Sequence, residues 1–253
     1  VLESGVTVEF PSDRGAELDS TSGYCLEILG GEKAKEFARY LSIVEKYRLG
    51  EGYGASAARS LAIALAYATL RGFSRCRAGL AAHVAEVAMG TGYADVLAQF
   101  TGGGLVYRVK PGAPCIGVAD SIPLPQLAIV TAVLGSMTTQ EMHRVYGHAI
   151  RVEGLRAYKL FTDSPSLETF LDLAHSFSTR VGFLTTDLNE KIRTALSKHL
   201  SRGIVLGYFV KKRLLVVVTE PSSVEDVIAA LKVMGFETRV DRIGRGRAEV
   251  VIE

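Results

Sequence analysis

Val6, Val8 and Phe10 alternate with Thr7 and Glu9, the period of two expected of a half-buried β-strand. Residues Glu32 to Leu41 read as a helix. Ser42 to Leu49 then reads as a short strand with Ile43, Tyr47 and Leu49 on one side, a continued helix being the competing reading. Beyond the glycine cluster GEGYG, the run from Ser56 to Leu70 is rich in Ala and Leu and predicts a helix ending before Gly72. A second helix is predicted from Arg77 to Met89, where Gly90 and Gly92 break it, and a short third one from Asp95. Alternation returns in GLVYRVKPG, a strand ended by Pro111.

In the second half, LAIVTAVL reads as a strand, and Thr138 with Glu141 has capping-box spacing for a following helix. Helical patterns cover Ser166 to Phe177 and Thr185 to His199. GIVLGYFVKKRLLVVVT predicts two strands around a charged turn, and Val224, Val227, Ile228, Leu231 and Met234 share one helical face. AEVVI reads as the last strand. With no repeat and with helix and strand mixed throughout, the fold class is α+β in layers. The proline-bearing stretch from Cys115 to Pro125 is the expected boundary between two domains, residues 1–120 and 121–253.

Composition narrows the function classes. A chain of 253 residues, 48% of them hydrophobic, can bury one large core or two modest ones. Its net charge is only +2 and its basic residues are scattered, which argues against a nucleic-acid partner. The short clusters Lys211, Lys212, Arg213 and Arg242, Arg245, Arg247 read as a charged hairpin turn and a solvated edge strand. Leu61 to Leu70 is about half the length a bilayer span needs, so no membrane partner is expected. The three cysteines, Cys25, Cys76 and Cys115, contain no CxxC pair and are read as free thiols, which places the protein in the cytoplasm. Because Val1 already lies in a strand-like pattern, an N-terminal segment is expected to be missing.

Gly52, Gly54, Ala55, Ser56 and Ala57 form the first chemically informative segment. Glycine lets backbone N–H groups approach a phosphate, and the following helix N-terminus turns unpaired donors and a positive dipole end toward an anion. The same residues also suit close helix packing. No GxxxxGK[ST] occurs, which removes the P-loop reading. A dinucleotide fold would need a strand after this helix and an acid about twenty residues on, whereas a second helix follows and the first acid is Glu86.

Downstream, His83 and Glu86 lie three apart on one helix face, and Asp95 follows a double glycine break. Two carboxylates near a phosphate loop suit Mg²⁺ together with a group that positions an attacking hydroxyl. Arg108 offers a guanidinium fork matched to a carboxylate.

The glycine segment resembles the second motif of GHMP kinases, PxxxGLGSSAA, with Tyr53 for Leu, Ala55 for the first Ser and no upstream Pro. The stretch AHVAEVAMGTGYADVLAQFTGGGLVYRVKPGAP, Ala82 to Pro114, closely resembles archaeal pantoate kinases, where AHxAE leads to TGLGDVxAQ, a glycine pair, a strand containing IR, and PGxP. Tyr93 and Ala94 replace the usual Leu and Gly. Weaker similarity continues through GSMTTQEM, AHSFSTRVGFLT, Leu206 and Gly207, while the family's first motif, near PGHITGFF, and a glycine-rich third motif are absent.

That resemblance implies a two-domain GHMP kinase fold with an N-terminal nucleotide-binding domain and a C-terminal α/β sandwich domain. It implies ATP and Mg²⁺ as cofactors and phosphorylation of the 4-hydroxyl of pantoate, as in coenzyme A synthesis. Ser56 and Glu86 would hold the metal, Asp95 would be catalytic, and His83 and Arg108 would recognise pantoate. The glycine loop, Gly52 to Ala57, would take the nucleotide phosphates. Competing readings are a kinase for another small alcohol, such as homoserine, shikimate or mevalonate, and a homologue without turnover. A small-molecule partner is expected, and a homodimer is compatible with the resemblance.

Overall fold

The structure is a computed structural model describing residues 5–251. Strand β1 (Val6–Glu9) buries Val6 and Val8 partly and exposes Thr7 and Glu9, as its alternation requires. A helix that the periodicity did not reveal, α1 (Ser20–Gly30), follows; it is capped by Asp19, whose carboxylate accepts from the Ser22 N–H. Glu32–Tyr40 is helical in the tighter 3₁₀ form, and β2 (Ser42–Glu45) settles the competing readings of that segment as a strand, antiparallel to β1.

Helix α2 (Ala55–Leu70) starts directly after Gly54. It is apolar on nearly all sides because α1, β1 and α3 (Arg75–Met89) surround it, and its many alanines, facing Ala78, Ala81, Ala82 and Ala85 of α3, allow close approach. Leu61 and Ile63 sit in the middle of this core; Leu61→Ala there would cost about 2–5 kcal/mol. A short helix, α4 (Asp95–Thr101), leads into β3 (Leu105–Lys110), which pairs antiparallel with β4 (Val118–Ile122). The expected domain boundary thus contains a strand that still belongs with β3. We propose a two-domain division, supported by one buried cluster within residues 25–96 and two further clusters within residues 127–231.

The second core lies under a four-stranded antiparallel sheet. Its inner strand β5 (Ala128–Val133) is apolar except at Thr131 because both faces are covered. Then come α5 (Thr139–Asp163), capped by Thr138 through the Glu141 N–H, α6 (Leu167–Val181), α7 (Thr186–Ala195) and α8 (Ser197–Ser201). Strands β6 (Val205–Lys211) and β7 (Leu214–Thr219) form the expected hairpin, α9 (Val224–Val233) buries Val227 and Leu231, and β8 (Thr238–Arg242) completes the order β6-β7-β5-β8. The last strand is therefore β8. AEVVI is not a strand over residues 248–251, and its final Ile, like the segment around Val1, lies outside the described residues.

The cysteine reading needs correction. Cys76 and Cys115 form a disulfide with Cα atoms 5.8 Å apart, although 39 positions separate them in sequence. The loop from Pro111 folds back onto α3, so closely that a Cβ on Gly79 would come within 2.8 Å of Pro114. Folding alone brings the two thiols together. Cys25 is free and fully buried, and burial, aided by the charges of Glu86 and Asp19, pushes its thiol up to about 12. Cysteine usage no longer argues for a compartment. Among the described residues, no helix is long and apolar enough to cross a membrane.

Candidate active site

Three helix ends meet at one point. Gly54 adopts left-handed backbone (φ +76°) at the start of α2, and a Cβ there would stand 3.2 Å from Gln99 Nε2 and 3.5 Å from Asp95 Cγ. The glycine therefore does two things: it permits the turn and lets α4 pack against the loop. Gln99 donates to the Gly54 carbonyl at 3.1 Å. No side chain caps α2, which leaves the first-turn N–H groups of Ala55, Ser56 and Ala57 available to an anion.

The two carboxylates converge on Gly92, where a Cβ would lie 2.3 Å from Glu86 Oε2 and 3.7 Å from Asp95 Oδ2. Any side chain at residue 92 would displace Glu86. Ser56 Oγ donates to Glu86 Oε1, which also accepts from Thr91 Oγ1 at 2.8 Å. Glu86 is almost completely buried, and burial pushes its carboxyl above the usual range; the two hydroxyl bonds oppose that shift, while the charges of Asp95 and Asp19 add to it. Asp95, at the start of α4, remains half-exposed and faces Lys211 Nζ at 3.7 Å.

One hydroxyl and two carboxylates form an all-oxygen donor set of the kind hard cations prefer. Among the described residues, no group of three or more His, Cys, Asp or Glu side chains is arranged to hold a metal by itself. Mg²⁺ is ordinarily held by one or two carboxylates together with phosphate oxygens, and Ser56 and Glu86 offer oxygen donors of that kind. A cation beside Glu86 would also relieve the cost of ionising a buried carboxyl.

His83 is half-buried on α3 with Nδ1 enclosed and unpartnered; burial first, and then the charge of Arg108, hold its imidazole below the usual range. Arg108 is exposed on β3 and donates from Nη1 to the Tyr93 carbonyl at 3.4 Å. His83 and Arg108 thus share a neighbourhood beside the Glu86–Asp95 loop. Gly52 lies apart from the carboxylates, against the β6–β7 turn.

Several residues at the site were not singled out from sequence. Thr91 and Thr139 join Glu86 to the second core, with Thr139 Oγ1 donating to the Thr91 carbonyl at 2.7 Å. His143, on α5, packs edge-on against Tyr93 at 5.2 Å. Tyr53 stacks on Tyr47 at 3.9 Å and reaches Thr131 Oγ1 at 2.7 Å. Thr91, Tyr53 and Thr139 lie inside stretches that carry the family resemblance, but the contacts that give them their part are made only in the folded chain.

The chain is 35% identical over 161 residues to a pantoate kinase of Thermococcus kodakarensis, a match covering 62% of this chain and 53% of that protein, and so about half the relative's length. A pantoate kinase of Methanocaldococcus jannaschii is 27% identical over 241 residues, covering 91% of this chain and 86% of the relative. A solved phosphotransferase related to the coenzyme A biosynthesis pathway superposes with a TM-score of 0.78 at 23% identity, covering 97% of this chain and 86% of that one. The chain has the GHMP fold and is similar in sequence to archaeal pantoate kinases. A mevalonate kinase shares the GHMP fold with a TM-score of 0.60 at 11% identity, covering 95% of this chain and 89% of that one. No family model matches. Within the GHMP fold, the Ser56, Glu86 and Asp95 cluster lies at the N-terminus of α2, where the glycine loop crosses the β6–β7 turn of the second core.

Proposed function

We propose that the protein transfers the terminal phosphoryl group of ATP to the 4-hydroxyl of pantoate. The observation that carries this reading is the convergence of Glu86 and Asp95 on Gly92, beside Ser56 and the uncapped N-terminus of α2. Similarity to pantoate kinases from two archaea supplies the substrate.

In this reading the N–H groups at the start of α2, with Gly52 and Gly54 allowing close approach, hold the phosphate chain. Ser56 and Glu86 would hold Mg²⁺, which would supply charge neutralisation to the phosphates. Asp95 orients the substrate hydroxyl and accepts its proton as the oxygen–phosphorus bond forms and the bond to the bridging oxygen of ADP breaks. Arg108 engages the pantoate carboxylate with its fork, and His83, kept neutral by burial and by Arg108, donates or accepts a hydrogen bond without adding charge. Residues 1–120 serve as the nucleotide domain and residues 121–253 as its partner. A cytoplasmic location follows from this metabolic role alone.

The test is incubation of the protein with ATP, Mg²⁺ and pantoate, reading ADP release and the phosphorylated acid by mass spectrometry. Homoserine, shikimate and mevalonate serve as competitors. ADP formation dependent on pantoate supports the assignment; turnover only with another alcohol, or nucleotide binding with no turnover, overturns it.

A further inference from the structure

The turn between β6 and β7 carries Lys211, Lys212 and Arg213, residues that sequence alone reads as a solvated hairpin tip. Lys211 and Arg213 are exposed, but Lys212 is not. Its backbone is left-handed (φ +59°), and its Nζ donates to Thr139 Oγ1 at 2.8 Å. Thr139 donates onward to the Thr91 carbonyl, and the Thr91 hydroxyl donates to Glu86. The turn rests on the glycine loop: a Cβ on Gly52 would meet the Leu214 Cβ at 3.1 Å and the Lys211 carbonyl at 3.3 Å.

The charges around Lys212 do not balance. Among the described residues no carboxylate lies within ion-pair distance of its ammonium; the ion pair of Asp95 is with Lys211. Burial and the Lys211 charge push the Lys212 ammonium down from its usual range, while Asp95 and Glu86 act in the opposite direction. Partly desolvated ammonium groups are ordinarily paired. Here the hydrogen bonds lead toward Glu86, and the backbone contact is with the phosphate-side loop, whereas the Arg108 fork stands on β3 beside Tyr93. A compact ammonium suits a phosphate oxygen as a point charge.

We propose that Lys212 binds the transferable terminal phosphoryl group of the nucleotide, making the β6–β7 turn a part of the phosphate site supplied by the second core. This rests on the kinase reading given above. It distinguishes Lys212 from the lysine beside it, which pairs with Asp95, and from Arg213, which is exposed at the tip of the turn.

Calorimetry in the presence of Mg²⁺, with ADP and with a non-hydrolysable ATP analogue, tests it on the wild type, Lys212→Met, Lys212→Arg and Arg213→Ala. Lys212→Met is expected to weaken analogue binding about tenfold or more while ADP affinity changes by less than about threefold. Lys212→Arg keeps a cation there and should recover most of the analogue affinity, and Arg213→Ala should match wild type. Should Lys212→Met not fold, as thermal melting would reveal, the Lys212→Arg comparison between analogue and ADP decides: equal weakening of both overturns the proposal. So does equal loss of both nucleotides in Lys212→Met, no loss of either, or loss of pantoate binding with nucleotide affinity intact. Where wild type binds nucleotide, those outcomes sink the Lys212 assignment alone; a wild type that binds neither nucleotide sinks it together with the kinase reading.

Discussion

Arg239 of β8 grips Glu51, at the entrance to the glycine loop, through Nη1 at 2.6 Å and Nη2 at 3.3 Å. The two residues are 188 positions apart. Glu51 is buried, and the guanidinium holds its carboxyl below the usual range against the opposing effect of burial.

Arg239→Ala should therefore destabilise the protein by about 1–3 kcal/mol, chiefly by leaving Glu51 buried without its partner. The sign with pH follows from the lowered carboxyl. Its stabilisation is present above the ordinary glutamate range, about 4.3, and is lost as pH falls through the lower folded-state value. Denaturant melts of wild type and variant should diverge at neutral pH and approach each other in acid. A gap that stays constant with pH would show that Glu51 is not the source.

Asp95→Asn tests the catalytic assignment. Turnover should fall by about 10²–10⁴-fold with nucleotide affinity retained, because the α2 N-terminus and Ser56 are untouched. Near wild-type turnover in a variant that still binds ATP would remove Asp95 from the chemistry.

Arg108→Lys keeps the charge and removes the fork. Pantoate affinity should drop by about 1–3 kcal/mol, with ATP affinity steady. An unchanged KM for pantoate would place Arg108 outside the pocket.

The disulfide makes a prediction that needs no substrate. Native protein should show no reactive thiol, unfolded but unreduced protein one, from Cys25, and reduced unfolded protein three. Closing a loop of this length contributes about 4 kcal/mol in the chain-entropy account, so reductant should lower the melting temperature. Three reactive thiols without reductant would mean the bridge does not form.

Local pattern carried much of this fold. The Ala- and Leu-rich run of α2, the Thr138 cap of α5 and the alternation of β3 are properties of adjacent residues, and they were readable as such. Helix α1 escaped because its first turns are built of small, weak helix formers, of which Thr21, Ser22 and Gly23 become buried only by packing on α3. The disulfide and Lys212 escaped for a related reason, since both depend on chain segments that meet only after folding. At the site, Ser56, Glu86 and Asp95 stood out through spacing and resemblance, whereas Thr91, Thr139 and Tyr53 are ordinary residues given importance by position.

Tyr53 has a consequence for redesign. Its ring lies on Tyr47, its hydroxyl on Thr131 of β5, and the Arg239 guanidinium 5.8 Å from its centre. The shape of the glycine loop is thus inherited from both halves of the gene. A chimera that grafts the C-terminal half of one relative onto the N-terminal half of another would have to carry Thr131 and Arg239 along with Tyr47 and Tyr53, or the loop would settle into a different conformation.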